Sequence, residues 1–131
     1  MPYAGHTTHS SSVVIVQDSW GYVFGGFLAH ALEKKAFYYG NGESFVFSVS
    51  GSSAPQCYKW TGVNDMFVIS DFNCFAMGGG GGGFAFQLDD ELDTGVSNRS
   101  DTYNNGQLSS SEFFKCLNLE VWLLEGVGFT V

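Results

Sequence analysis

Six consecutive glycines, residues 78–83, stand between two aromatic-rich runs at 66–77 and 84–88. Glycine loses more backbone freedom on ordering than any other residue, so a run of this length is neither a helix nor a settled strand. It is a loop, and its flanks decide what the loop is for. A phosphate-cradling loop ends in Gly-Lys-Ser/Thr or opens a helix after a strand. Here Phe84-Ala85-Phe86-Gln87-Leu88-Asp89 follows, with no lysine and no helical spacing. The run therefore reads as a crowded turn inside an all-β domain, where glycine lets backbone and aromatic rings approach closely.

The rest of the chain agrees with that reading. Its 131 residues fit one domain with room for a core. Hydrophobic residues at 44 % and aromatics at 17 % exclude a disordered chain, and 13 phenylalanines lean toward sheet. Apolar stretches are far shorter than a membrane span, and the N-terminus lacks the basic, apolar and small-residue succession of a secretory signal. No membrane insertion is expected. Lysine and arginine number 5 against 13 carboxylates, giving 5 − 13 = −8. Nucleic-acid binding needs a cationic footprint that this chain lacks. A cationic protein partner suits it. Cys57, Cys74 and Cys116 form no C-x-x-C pair, so neither a zinc nor a thioredoxin-like site is signalled. They point to a cytoplasmic, reducing compartment with mostly buried thiols. The glycosylation pattern Asn98-Arg99-Ser100 has no meaning there.

Along the chain, residues 1–12 read as polar and irregular, and 13–131 as the domain. Runs 13–17 and 22–28 make a hairpin across Asp18-Ser19-Trp20-Gly21. Gly25-Gly26 inside the second run signals a bulge or a close backbone approach. One helical turn fits 31–35. Residues 43–49 are strand-like, and 56–61 and 66–70 flank Gly62-Val63-Asn64-Asp65 as a second hairpin. Further strands follow at 74–77 and 84–88, then a polar loop at 89–108. Leu117, Leu119, Val121 and Leu123 alternate with Asn118, Glu120 and Trp122, the clearest period-two pattern in the chain. The fold class expected is mainly β (α+β), a two-layer antiparallel β-sandwich with a few short flanking helices.

Several motifs resemble those of one family. Tyr39-Gly40-Asn41-Gly42-Glu43-Ser44-Phe45 is similar to a signature of TLDc domains, found in oxidation-resistance proteins. Lys59-Trp60-Thr61-Gly62 with Asn64 resembles a second element. The glycines from Gly78, Gly79 and Gly80 onward, leading to Leu88-Asp89, resemble a third. Thr102-Tyr103-Asn104-Asn105 and Leu119-Glu120-Val121-Trp122 resemble two more, and residues 13–25 look like the family's first hairpin. The elements stand in order over 13–125. There are departures: the chain begins inside the family's pattern, without its N-terminal helical and strand segment. Ser100 stands where many animal members carry cysteine, and Gln87 and Ala85 replace a tryptophan and a glycine. An absent front end would leave apolar surface uncovered. The resemblance implies a β-sandwich, protection against oxidative damage, and binding to the vacuolar proton-pumping ATPase. It implies neither a cofactor nor an agreed catalytic mechanism. Endolysosomal membranes, reached through a partner, and mitochondria are alternative addresses.

Each candidate residue has a plainer reading beside the functional one. Glu43, opening an apolar strand, is either a half-buried base or anchor, or a carboxylate fixing the 40–42 turn. Asp89, Asp90, Glu91 and Asp93 could hold calcium, but the EF-hand spacing is missing and a solvated acidic turn is plainer. His6 and His9 have no companion ligands, and no metal site is expected. Residues 109–112 read as a helix cap. A serine hydrolase is excluded because no G-x-S-x-G elbow appears. Trp60 and Trp122 read as inter-sheet packing.

Three functions remain. The first is a non-enzymatic interaction module using the loops at Gly40–Glu43, 78–83 and Asn104-Asn105. The second is a thiol-dependent antioxidant enzyme, with Lys115 beside Cys116 or Lys59 near Cys57 lowering a thiol pKa. The third is a small-ligand β-sandwich using Trp20, Tyr38, Tyr39 and the glycine loop.

Overall fold

A computed structural model describes residues 8–30, 32–49, 54–71 and 74–127. Ten antiparallel strands pair in the order β3-β6-β7-β8-β9-β10-β1-β2-β4-β5. They are β1 (Thr8–Asp18), β2 (Val23–Leu28), β3 (Lys35–Tyr39), β4 (Phe45–Val49), β5 (Gln56–Lys59), β6 (Val68–Ser70), β7 (Cys74–Met77), β8 (Phe86–Asp89), β9 (Thr94–Val96) and β10 (Phe113–Val127).

The ladder folds over itself into two packed layers, as the sequence leads one to expect. The first contains β3 and β6–β9, the second β1, β2, β4 and β5. β10 belongs to both, pairing with β9 through Phe113–Lys115 and with β1 from Cys116 onward. Phe24 on β2 meets Phe86 of the opposite layer edge-to-face at 5.8 Å and Phe114 of β10 at 5.1 Å. These rings, with Val14, Val16, Leu28, Val46, Met77 and Leu88, form one buried cluster. Gly26 explains how the layers come so close: a β-carbon there would lie 2.1 Å from Met77 Sδ. The Gly25-Gly26 pair is thus a close approach, with no register shift between β1 and β2.

The first hairpin forms as expected, but β1 starts at Thr8. Residues 8–12 gain order because β10 is long enough to pair with them, Thr8 to Val127 and Ser12 to Leu123. Asp18 closes the hairpin. Its carboxylate accepts the N–H groups of Trp20 and Tyr22 at 3.0 Å and of Ser110 at 2.8 Å. Burial alone would push its pKa up, but these N–H groups outweigh burial and hold it below the ordinary value.

Other expectations change. No helix is present among the described residues. Residues 32–34 are irregular because tertiary partners take their backbone groups: the Glu33 N–H donates to Tyr39 Oη and its carbonyl accepts from Ser70 Oγ. Ala31 lies outside the described residues. Residues 109–112 cap no helix; they bend into β10, with Ser109 Oγ donating to the Ser111 carbonyl. The second hairpin does not form either. β5 pairs with β4 at one end of the ladder and β6 sits between β3 and β7 near the other. Residues 60–67 therefore cross from layer to layer. The polar 89–108 stretch also contains a short strand, β9.

Candidate functional site

The crossing segment 60–67 meets two other loops, 78–85 and 97–105. The glycine run links β7 to β8, and its tightness rests on left-handed backbone at Gly78, Gly80 and Gly81. Side chains would also not fit: a β-carbon on Gly78 would lie 2.8 Å from Ser100 Oγ, and one on Gly81 2.5 Å from Asp101 Oδ1. The loop is packed against its neighbours, so the expectation of a crowded turn holds.

Thr102 joins the three segments. Its buried hydroxyl accepts the Gly79 N–H at 3.0 Å and donates to Asn64 Oδ1 at 2.6 Å. Asn64 Oδ1 also accepts the Met66 N–H at 2.9 Å. Thr61 ties in from the other side, its hydroxyl donating to the Asp101 carbonyl at 2.8 Å and its N–H to the Thr102 carbonyl at 2.9 Å. Tyr38 Oη reaches the Gly78 carbonyl at 3.2 Å. Beneath, buried Tyr103 donates to the Phe67 carbonyl at 3.2 Å, and burial raises its phenol pKa. Asn105 is buried and cross-links its own loop, accepting from Ser100 Oγ at 2.7 Å and donating to the Asn98 carbonyl at 2.8 Å. Arg99 pairs with Asp101 at 2.8 Å and donates to Asn104 Oδ1 at 3.1 Å, with Asn104 itself in left-handed backbone.

The 40–43 turn joins this cluster through Trp60. The indole lies over Gly42, where a β-carbon would sit 2.3 Å from Trp60 Cε3, and meets Phe67 edge-on at 5.3 Å. Its Nε1–H donates to the Asn64 carbonyl at 2.7 Å. Trp60 was expected between the sheets, yet it is 40 % exposed, with Val63 and Met66 exposed beside it. Gly62 has positive φ, and a β-carbon there would meet nothing within 4 Å, so it serves the turn alone. Glu43 is exposed, which removes the half-buried base or anchor, and in the turn it is the Asn41 side chain that serves as acceptor, taking the Glu43 N–H at 2.9 Å.

The structure thus gathers Gly40, Gly42, Glu43, Trp60, Thr61, Gly62, Gly78, Gly79, Gly80, Asn104 and Asn105 around one set of loops. Three predicted residues stand elsewhere. Asp89 caps the β8–β9 turn through the Asp93 N–H and the Thr94 hydroxyl. The Asp93 N–H is the main cause that holds its carboxyl below the ordinary range. Glu120 and Trp122 pair with each other on β10 at 2.9 Å. Trp122, expected in the core, is 56 % exposed.

Residues 3–125 match the TLDc domain. The chain belongs to the TLDc family. It is 36 % identical over 116 residues to nuclear receptor coactivator 7 of Mus musculus, covering 88 % of this chain and 12 % of that protein. It is 38 % identical over 113 residues to oxidation resistance protein 1 of Homo sapiens, covering 86 % and 13 %. The Bos taurus oxidation resistance protein 1 is 38 % identical over 110 residues, covering 84 % and 12 %. The chain thus spans 12 to 13 % of the length of these relatives.

Within this TLDc chain the thiols are not arranged as expected. Cys57 is exposed, while Cys74 and Cys116 are half-buried. Burial raises both of the latter, and neighbouring carboxylates add to it: Asp71 at Cys74, Asp93 and Asp89 at Cys116. Lys115 does not reverse this. Trp20, Tyr38 and Tyr39 do not converge: Trp20 is on the β1–β2 turn, and Tyr39 is buried against Ser70. His6 lies outside the described residues, as does the side chain of His9. Sequence reasoning missed Thr102 and Asn64 as the fasteners of the site. Thr102 opens a recognised motif, but its partners are 23 and 38 positions away.

Proposed function

We propose that this chain is a TLDc-type protein-interaction module that protects against oxidative stress by binding and regulating the vacuolar proton-pumping ATPase from the cytoplasm. The observation carrying the reading is the loop junction. Trp60, Val63 and Met66 stand exposed on a backbone whose polar groups are satisfied from three directions, which makes a preorganised contact surface. Its carboxylate and guanidinium, Asp101 and Arg99, pair with each other, an arrangement of loop support. The name of the human relative, oxidation resistance protein 1, supports the protective role. Thiol chemistry draws less support, since burial works against the thiolate at Cys74 and Cys116.

The test is an affinity pulldown from eukaryotic lysate with the native chain, Trp60→Ala and Glu43→Ala, read for proton-pump subunits by mass spectrometry. Recovery by the native chain and loss with Trp60→Ala supports the module and places its surface at the junction. Loss with Glu43→Ala as well extends the surface across the 40–43 turn. A folded native chain that recovers no pump subunit refutes the assignment of partner.

A further inference from the structure

Past Lys115, β10 loses its β9 neighbour, because the chain turns away at Asp93 after one last bond from the Cys116 N–H to the Asp93 carbonyl. Among the described residues, Leu117–Leu124 is paired only on its β1 side. Every second backbone amide and carbonyl there faces an open lane. Open strand edges are templates for a further strand, and soluble proteins normally shield them with charge, proline or a covering element.

This edge is apolar instead. Leu119, Val121 and Leu123 lie opposite Val16, Val14 and Ser12, so they continue the core face of the sheet. Val121 is 50 % and Leu123 57 % exposed. A groove of about 160 Å³ runs beneath Leu119 and Val121, walled also by Leu32, Phe75 and Leu92 and without polar lining. On the other face Trp122 and Leu124 are exposed too. Leu117 is the extra residue of a bulge, and the lane begins there.

Charge selects the occupant. The lane begins against the β8–β9 turn, which carries Asp89, Asp90, Glu91 and Asp93, and Glu120 stands on its outer face beside Trp122. A second copy would bring a further formal −8 to the same place. We propose that Leu117–Leu124 accepts a β-strand from a partner protein whose segment alternates apolar and cationic side chains. The apolar set would cover the groove, and the cationic set would reach Glu120, the Trp122 ring and the acidic turn. Main-chain bonds supply the register, and side chains supply the choice of partner.

The probe is a synthetic, fluorescently labelled octapeptide alternating valine and lysine, titrated into the 131-residue chain and read by anisotropy. Two further peptides carry N-methyl groups on alternate amides, one in each phase. In an added strand only one set of amides faces β10, so one phase should weaken binding at least about tenfold while the other changes it little. Glu120→Gln with Asp93→Asn should weaken the unmethylated peptide by roughly threefold or more, and added salt should do the same. Equal binding by the two methylated peptides overturns strand addition. Equal binding by a valine–glutamate peptide overturns the cationic partner. Sedimentation as a dimer that excludes the peptide overturns the partner in favour of a second copy.

Discussion

Replacing Thr102 by valine keeps the shape of a buried side chain and removes one hydroxyl. That hydroxyl accepts the Gly79 N–H, and Gly79 is itself buried, so the amide loses its partner where water does not reach it. The other half of the change is milder. Asn64 Oδ1 loses a donor at 2.6 Å but keeps the Met66 N–H at 2.9 Å. The cost is therefore dominated by one orphaned buried donor, about 1–3 kcal/mol. At this chain length a kcal/mol corresponds to roughly 3–5 °C in Tm, so Thr102→Val should melt about 3–15 °C lower. Thr102→Ser is the control: it keeps the hydroxyl and loses a methyl group, about 1 kcal/mol. Hydrogen exchange at the Gly79 amide separates the two, rising in Thr102→Val and staying slow in Thr102→Ser. If the variants melt together and the Gly79 amide is equally protected in both, Thr102 is not what fastens the glycine loop.

Asp18 sets a pH dependence with a definite sign. Its folded pKa lies below the ordinary value, so its stabilisation is complete above the unfolded pKa of about 3.9 and is lost as pH falls through the folded value. Urea midpoints should fall in that acid range for the native chain, and Asp18→Asn should show a shallower fall while costing about 1–3 kcal/mol near neutral pH. Gly26→Ala drives a β-carbon into Met77 Sδ, at 2.1 Å, and toward the Phe45 carbonyl, at 3.3 Å. It should cost about 1–3 kcal/mol, part of which Met77→Ala in the same chain recovers in a double-mutant cycle. Alkylation of the native protein at neutral pH should label Cys57 first, with Cys74 and Cys116 slower; fast labelling of Cys116 would revive the thiol reading.

What the chain discloses by itself is what local pattern controls. The first hairpin was legible because residues 13–17 and 22–28 carry strand patterns across a turn-forming Asp-Ser-Trp-Gly. The glycine loop was legible because six glycines admit little else. Gly42, Trp60, Thr61 and Gly79 were singled out by motifs in the family's order, and the structure brings them to one junction. Pairings set by distant partners were hidden. Residues 56–61 and 66–70 look like a hairpin in isolation, yet β5 and β6 lie near opposite ends of the ladder. Nothing within 60–67 says that its polar groups bind Thr102 and Gly79 rather than each other. β9 was missed because three residues, Thr94-Gly95-Val96, carry no periodicity. Trp122 misled because aromatic residues on a strand usually pack inward, and among the described residues this strand is paired on one side only past Lys115.

The two surfaces differ in how they treat the backbone, and that difference suits them to different partners. At the loop junction the buried N–H of Gly79 is held by Thr102, the Gly78 carbonyl by Tyr38 and the Asn64 carbonyl by Trp60. What it offers a partner is side-chain area on a fixed frame, the exposed faces of Trp60, Val63 and Met66. On β10 the reverse holds: Val121, Trp122, Leu123 and Leu124 are exposed, and among the described residues the main chain has a strand partner only on its β1 side. A partner at the junction is selected by shape and apolar area, which salt affects little. A partner on β10 is selected by its ability to become a strand and by charge, which salt screens over about 10 Å at 0.1 M. One small domain with both can hold one protein by its loops while taking a strand from another.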